Sequence, residues 1–336
     1  MTQEIVFVNE NTASIVSPQG CSDIKGAKIS LYLQEILDFF GKPRCFDDVI
    51  KMFEEKYSAE TLKRMLVCLV DNHVLITEHN DEVLRKQGGN FLCKTFFLTA
   101  GGKSLQEIID NFMSLRIGII GTVQLAECLV EVLSTSGLLL NFNIMNVDEA
   151  RRIVARQKDV KLIYYNLYGK SQNLEEFISK CDFIFAVSNF PNHHLFNKLA
   201  TLCYKKDKMW MRILTQGAYA EVGPLFVRGK TCCYACLHTR RCRNMTTEEY
   251  FFDELYARKL SPAEAREREF KSYVLYPVNN LAANIASAEL MKLFSNMRCN
   301  LMNQVLTIDA LNFHTQIDYI YKDYRCAICA LREENV

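Results

Sequence analysis

Leu115–Gly137, LRIGIIGTVQLAECLVEVLSTSG, decides the fold. Branched apolar residues from Ile117 to Ile120 lead into Gly121 and then into an amphipathic stretch, the strand, turn and helix of a βαβ unit. A phosphate-binding turn of this kind reads GxGxxG, so that backbone amides can approach an anion. Here the turn reads GTVQLA. A β-branched Val123 takes positive φ only at a steric cost, and its side chain fills the space an anion would need. The stretch predicts the architecture of a nucleotide-binding domain and argues against its ligand.

Downstream, Leu139–Met145, Val160–Tyr164, Asp182–Val187 and Met209–Leu214 are β-prone runs with helical stretches between several of them. That alternation predicts a doubly wound α/β domain with a mainly parallel sheet. Arg240–Lys271 is the most polar part of this domain. Two capping boxes, Thr246 with Glu249 and Ser261-Pro262 with Glu264, predict two short helices that cross the surface. Pro277–Phe294 then predicts a long helix, and Val305–Ile308 with Thr315–Tyr319 the final strands.

Upstream, residues 1–90 form a separate unit before a second domain at 91–336. Ile5–Val8 and Ala13–Val16 flank the turn-rich Asn9-Glu10-Asn11 and predict a hairpin, with a third short strand at Lys28-Ile29-Ser30. Leu31–Phe40, Phe46–Tyr57 and a third stretch capped by Ser58 read as helices, the last with Leu62, Met65, Leu66, Leu69 and Val70 on one face. A closing strand at His73–Thr77 completes a winged-helix-like module. Its third helix offers only Lys63 and Arg64 against Glu60 and Asp71, with no Arg/Asn/Gln set for reading base edges, which argues against a DNA-binding regulator. An extended peptide suits it better, adding a strand at a sheet edge while alternate side chains enter a groove. The candidate contacts are Lys28, Ile29, Ser30, Leu62, Met65, Leu66 and Leu69.

Composition narrows the setting. Forty basic residues against 39 acidic ones leave a net charge of +1 over 336 residues, no global field for nucleic acid or an anionic membrane. MTQEIVFVNEN lacks the basic start and apolar core of a signal peptide, and no window approaches the roughly 18 apolar residues of a membrane span. A cytoplasmic protein is expected, consistent with 14 cysteines that a reducing compartment leaves unpaired.

Four of those cysteines form two CxxC pairs, Cys233/Cys236 in TCCYACLHTRRC and Cys326/Cys329 in YRCAICAL. Two such pairs complete a tetrahedral Zn²⁺ shell with no open coordination position, so the metal would be structural, stapling the crossover to the tail. A redox CxxC does not explain two matching motifs at distant positions. Cys232 adjoins Cys233 and would point away; Cys242 and Cys299 are the other competing thiols.

CDFIFAVSNFPNHHLFNKLA, then GPLFVRGKTCCYACL, then the final CxxC resemble the ThiF/MoeB superfamily of ubiquitin-activating-enzyme-like adenylating proteins, over about Arg116–Cys329. With the N-terminal module, the whole chain resembles the partner proteins of YcaO-type cyclodehydratases, which make azoline rings in ribosomal peptides, and the related peptide-adenylating enzymes. The resemblance implies leader-peptide recognition by the N-terminal clamp and pairing into a homodimer. It also locates a degenerate nucleotide site. Gly121 is retained, Val123 and Gln124 stand at glycine positions, Asn146 replaces the ribose-binding acid with Asp148 nearby, Arg156-Gln157 keep the basic element to within a residue, and Ser188 replaces the Mg²⁺-binding Asp before Asn189. The expectation is a zinc-stabilised, non-catalytic scaffold that presents a precursor peptide to a YcaO-type subunit. The alternatives are an active adenylating enzyme using Asp148 and Arg156, and a DNA-binding regulator. His193-His194 read as exposed imidazoles at a helix start, and Trp210 as core.

Overall fold

The computed structural model describes residues 4–17, 20–40, 42, 44–71, 74–75, 105–135, 141–146, 161–166, 171–250, 260–295 and 297–330. They belong to two compact units, Met1–Gly101 and Gly102–Val336. The boundary expected at residues 90 and 91 lies outside the described residues.

In the first unit, β1 (Glu4–Asn9), β2 (Thr12–Ser17) and β3 (Gly20–Lys25) form an antiparallel sheet in the order β1-β2-β3. The hairpin falls where Asn9-Glu10-Asn11 predicts it, with the Asn11 amide donating to Asn9 Oδ1 at 2.9 Å. Helices α1 (Ile29–Phe39), α2 (Phe46–Phe53) and α3 (Ala59–Asp71) follow. Ser58 caps α3 as expected, its Oγ accepting from the Thr61 amide at 3.2 Å. Ala13, Leu33, Ile36, Val49, Leu62, Leu66 and Leu69 are fully buried together and make the core of the unit.

The third strand is a correction. Lys28-Ile29-Ser30 is not a strand: Lys28 turns through φ 54° and caps α1, so that Ile29 enters the helical row Ile29, Leu33, Ile36 that faces the core. The polar GCSDIK segment pairs with β2 instead. Of the strand expected at His73–Thr77, only Val74 and Leu75 are described, and their amides close the end of α3 by donating to the Leu69 carbonyl at 2.8 and 3.1 Å.

The second unit opens with α4 (Leu105–Ser114) and continues through β4 (Arg116–Gly121), α5 (Val123–Thr135), β5 (Asn141–Asn146), β6 (Lys161–Asn166), α6 (Ser171–Lys180), β7 (Phe183–Ser188), α7 (His193–Lys205) and β8 (Met209–Gln216). Then come β9 (Tyr219–Phe226), α8 (Tyr234–Asn244), α9 (Pro262–Lys271), α10 (Tyr276–Phe294), β10 (Gln304–Asp309) and β11 (His314–Tyr319). The eight strands lie in the order β11-β10-β9-β8-β7-β4-β5-β6. From β6 to β8 all neighbours are parallel, and β9, β10 and β11 extend the sheet antiparallel.

This is the doubly wound order, and it defines a topological switch point between β4 and β7, where strands are added in opposite directions. All six positions of β7 are buried, the signature of a strand covered on both faces. Helices α6, α7 and α8 cover one face around Phe177, Phe196, Trp210 and Tyr234. On the other, α5 packs on α10, which lies on β8 and β9. Arg116 and Asp182 tie the amino ends of β4 and β7 together, with Nη2 to Oδ1 at 2.6 Å and Nε to Oδ2 at 2.9 Å. Strand β9 holds the Gly-Pro of GPLFVRG; Gly223 has φ +93°, and a Cβ there would stand 2.7 Å from the Gln304 carbonyl of β10.

Candidate functional site

The switch point carries the GTVQLA turn. Gly121 ends β4 with φ +131°, and a Cβ at that position would lie 1.7 Å from the Val187 carbonyl. The glycine is thus required by the close passage of β4 past β7, whether or not anything binds there. Thr122 follows, its amide donating to that same carbonyl at 3.2 Å. Val123 is the first residue of α5 and only 1% exposed, Gln124 faces out, and Ala126 is buried. The Val123 amide, one of the unpaired N–H groups of the helix start, donates to Glu269 Oε1 of α9 at 3.0 Å.

On the facing strand, Ser188 turns its hydroxyl inward and donates to the Phe190 carbonyl at 2.6 Å. Asn189 is 4% exposed, and its Nδ2 donates to the Glu269 carbonyl at 3.1 Å. Asn146 ends β5 in register with Gly121. Asp148 and Arg156 lie outside the described residues. The structure therefore brings Gly121, Val123, Ser188 and the end of β5 to one place, and adds Glu269, which no motif in the polar segment around α9 announces.

The cysteine cluster sits between the start of α8 and the segment after β11. Cys233 is the N-cap of α8 and Cys236 lies one turn on, while the chain after β11 folds back to bring Cys326 and Cys329. All four Sγ atoms lie within 4.8 Å of one another, with Cys233–Cys326 at 3.3 Å, Cys236–Cys329 at 3.4 Å and Cys233–Cys236 at 3.8 Å. A Zn–S bond of about 2.3 Å requires tetrahedral S–S edges of about 3.8 Å, so the residues fit a zinc ion. The Asp323 amide points at Cys236 Sγ at 3.3 Å, a donor that offsets thiolate charge.

Hydrogen bonds from Cys233 and Cys329 pull the Cys236 thiol down, while the bonds Cys233 makes to Cys236 and Cys329, and then burial, push Cys233 up. Four thiolates coexist there only around a cation. Cys233, Cys236, Cys326 and Cys329 would hold it, and with four sulfurs it would cross-link rather than catalyse. The competing thiols are not part of the four-sulfur group. Cys232 is raised to about 12 by burial, Cys242 faces His238 at 3.6 Å, and Cys299 donates to Glu289 at 2.9 Å.

Beside this cluster lies a polar network that the sequence reading passes over. Arg212 of β8 is 1% exposed and pairs with Glu221 of β9, which Arg241 of α8 also reaches at 2.8 Å. Burial alone would raise the Glu221 carboxyl, but the two guanidinium groups outweigh it and bring it down to about 2. An arginine inside the apolar run MWMRILT was the available signal, since a charge at a covered position needs a partner. His193 starts α7 as expected but is 6% exposed, a correction to the exposed imidazole: its Nδ1 meets the Tyr234 hydroxyl at 2.6 Å. Asn192 caps the helix, accepting from the Leu195 amide. Trp210 is core, stacked on Phe226 with centroids 4.2 Å apart.

In the N-terminal unit, most expected peptide contacts are structural. Leu62, Leu66 and Leu69 are fully buried, Ile29 is a core residue, and Ser30 Oγ donates to the Thr12 carbonyl at 3.2 Å and to that of Asn9. Lys28 is exposed and Met65 half-buried. On α3 the exposed residues are Ala59, Glu60, Thr61, Lys63, Arg64 and Val67, with Arg64 paired to Glu60 at 2.7 Å. Strand β3, paired only with β2 among the described residues, is a sheet edge.

Three comparisons place this arrangement. The ThiF family profile matches residues 146–327, more than half of the chain. No curated protein sequence matches. Among solved structures, E. coli MccB superposes with a TM-score of 0.73 at 14% identity, covering 100% of this chain and 97% of that one. The microcin C7 biosynthetic enzyme MccB in complex with N-formylated MccA gives 0.69 at 14% identity, with 98% of each chain covered. A heterocyclase in complex with substrate and cofactor gives 0.59 at 12% identity, and this chain, 98% covered, spans 38% of it.

Proposed function

This chain belongs to the ThiF family, and on that premise we propose that it is a non-catalytic scaffold that binds the leader of a ribosomal precursor peptide and presents its core to a YcaO-type cyclodehydratase subunit. The observation that carries the reading is the state of the turn after β7. The side chain at the position of the metal-holding carboxylate is a hydroxyl, and it is committed to the Phe190 carbonyl. A neutral hydroxyl engaged by a backbone carbonyl does not replace the carboxylate that holds Mg²⁺ on a triphosphate. On the α5 side, the Val123 amide is already taken up by Glu269 Oε1.

The N-terminal unit, which we read as winged-helix-like, would take the leader along the open edge of β3. Its main chain would extend the sheet, and its side chains would meet the outward residues of α3 and Lys28. Ring formation, in which a Cys, Ser or Thr side chain attacks the preceding amide at the expense of ATP, would belong to the partner. This chain would contribute tethering: holding the leader raises the local concentration of the core to the millimolar range for a short flexible linker, lowering the partner's apparent KM. Zinc in the cysteine cluster would keep the body rigid, and pairing of two bodies is part of the proposal.

The test is ATP–pyrophosphate exchange by the purified chain, with and without precursor peptide, beside leader affinity measured by anisotropy. The scaffold gives no exchange in either case, and Ile24→Pro in β3, which disrupts an edge strand, weakens the leader at least about tenfold. Exchange above background overturns the scaffold. Coverage of nearly the full length of MccB favours the second reading, a peptide-adenylating enzyme, and that outcome would establish it.

A further inference from the structure

We propose that the surface beside the cysteine cluster is a docking site for an acidic segment of a partner protein, anchored by one bulky apolar side chain. It rests on the scaffold reading only for the identity of that partner, the cyclodehydratase subunit. The surface itself lies at the amino end of β8, away from the switch point at the carboxyl ends of the strands.

The chain as a whole is nearly neutral, yet residues 228–243 hold five arginines and lysines and no acid, and residues 319–330 add Lys322 and Arg325 against Asp323 alone. Glu221 takes up Arg241, and Asp323 pairs with Arg243 at 3.1 Å. Arg228, Lys230, Arg240, Lys322 and Arg325 are exposed and meet no carboxylate among the described residues. Zinc held by four thiolates would carry two negative charges, which offsets two of these five and leaves the surface positive.

Contacts hold these cations together. Lys322 Nζ donates to the Gly229 carbonyl, which ties the loop after β9 to the segment after β11. Arg240 lies over Tyr321 at 5.7 Å, Arg325 over Tyr324 at 4.9 Å and Arg228 over Tyr204 at 5.3 Å. A guanidinium over a ring uses its flat side, so its in-plane N–H donors stay available to carboxylates. The same contacts take up one side of each tyrosine, which disfavours stacking of nucleobases.

Beside Arg228 opens a pocket of about 260 Å³, lined by Ala200, Trp210, Phe226 and Cys232, each at most 4% exposed, and by Lys208 and Arg228. It is smaller than the roughly 300 to 1,000 Å³ of small-molecule and cofactor sites, and suits one side chain. An apolar anchor seated in a desolvated pocket is how an interface concentrates its affinity. Lining cations with no acid among them select an acidic flank around that anchor.

Trp210 is the single tryptophan of the chain and lines the pocket, so its emission reports occupancy. The probe is a short Glu-rich peptide with one central Phe and no Tyr or Trp, titrated into the full-length, zinc-loaded protein. Binding is expected to shift Trp210 emission and to weaken as salt rises. Replacing the probe's Phe by Ala, or its Glu residues by Gln, should each lower affinity at least about tenfold. Arg228→Glu combined with Arg240→Glu should do the same at unchanged Tm, and should bind a Lys-rich probe with the same central Phe that the wild type does not bind. If that double variant does not fold, Lys230→Glu combined with Arg325→Glu gives the same test. No Trp210 response to the acidic probe, or equal affinity for the Glu and Gln probes, overturns the proposal. Tighter binding of oligouridylate than of the acidic probe also overturns it, and would assign the surface to nucleic acid. None of these readouts involves leader affinity or ATP–pyrophosphate exchange, so either proposal can fail while the other stands.

Discussion

At Glu221 one carboxylate serves two arginines, and its chemistry sets a pH window. Its folded value near 2 lies below the ordinary 4.5. The stabilisation is therefore fully present above about pH 4.5 and is lost as pH falls toward 2, and the difference amounts to about 3 kcal/mol. Glu221→Gln should flatten that acid limb in urea melts taken between pH 5 and 2; a slope as steep as wild type would show that the carboxylate is not held by its arginines. Above pH 5 the variant should also lose about 3 kcal/mol, because Arg212 would keep a buried charge without its counter-ion. Gly121→Ala tests the other site residue whose role is steric. With φ at +131° and a carbonyl 1.7 Å from the new Cβ, it should cost about 3 kcal/mol or more, visible as a drop in Tm. Gly121 was legible as a glycine of the turn, but its reason was not. The sequence suggests a remnant of phosphate binding, while the structure shows a strand crossing that demands it.

At the level of elements, legibility followed periodicity. Strand β7 and helix α10 stand out because continuous apolar runs or long Ala/Leu patterns have one reading. Strand β9 does not, since Gly-Pro inside YAEVGPLF is a breaker signal, and only pairing with β8 on one side and β10 on the other makes it a strand. The capping boxes were readable because their bonds are local: Ser261 and Glu264 exchange both bonds at 3.3 and 2.8 Å, and Thr246 and Glu249 do the same at 3.2 and 2.7 Å. The cysteine quartet was readable from spacing alone, because a CxxC admits few geometries. Its test is metal release. Titrating the thiols with an organomercurial should free about one Zn²⁺ per chain, and Cys236→Ser should lose the metal, with faster hydrogen exchange in α8 and around Asp323. A Cys232→Ser variant should keep both.

For the molecule as a whole, hydrophobic periodicity changes along the sequence from an N-terminal sheet-and-helix pattern to an α/β pattern, and the described residues fall into two compact units, Met1–Gly101 and Gly102–Val336. The contents of the cleft did not follow. Glu269 reaches Val123 across 146 positions of chain, and Asn189 reaches Glu269 across 80. Contacts that distant leave no local pattern. No described helix is long and apolar enough to cross a membrane.

The cysteine cluster also has a consequence in time. Cys233 and Cys326 touch, yet 93 positions separate them along the chain. At about 5 to 20 residues per second on the ribosome, the first pair of thiols waits roughly 5 to 20 s for the second. During that interval the nascent polypeptide carries a half-built ligand set, open to oxidants and to the wrong ion. Correct maturation should therefore depend on zinc supply and reducing power while translation is under way, and a pulse of oxidant given to cells during synthesis should harm yield more than the same pulse given afterwards.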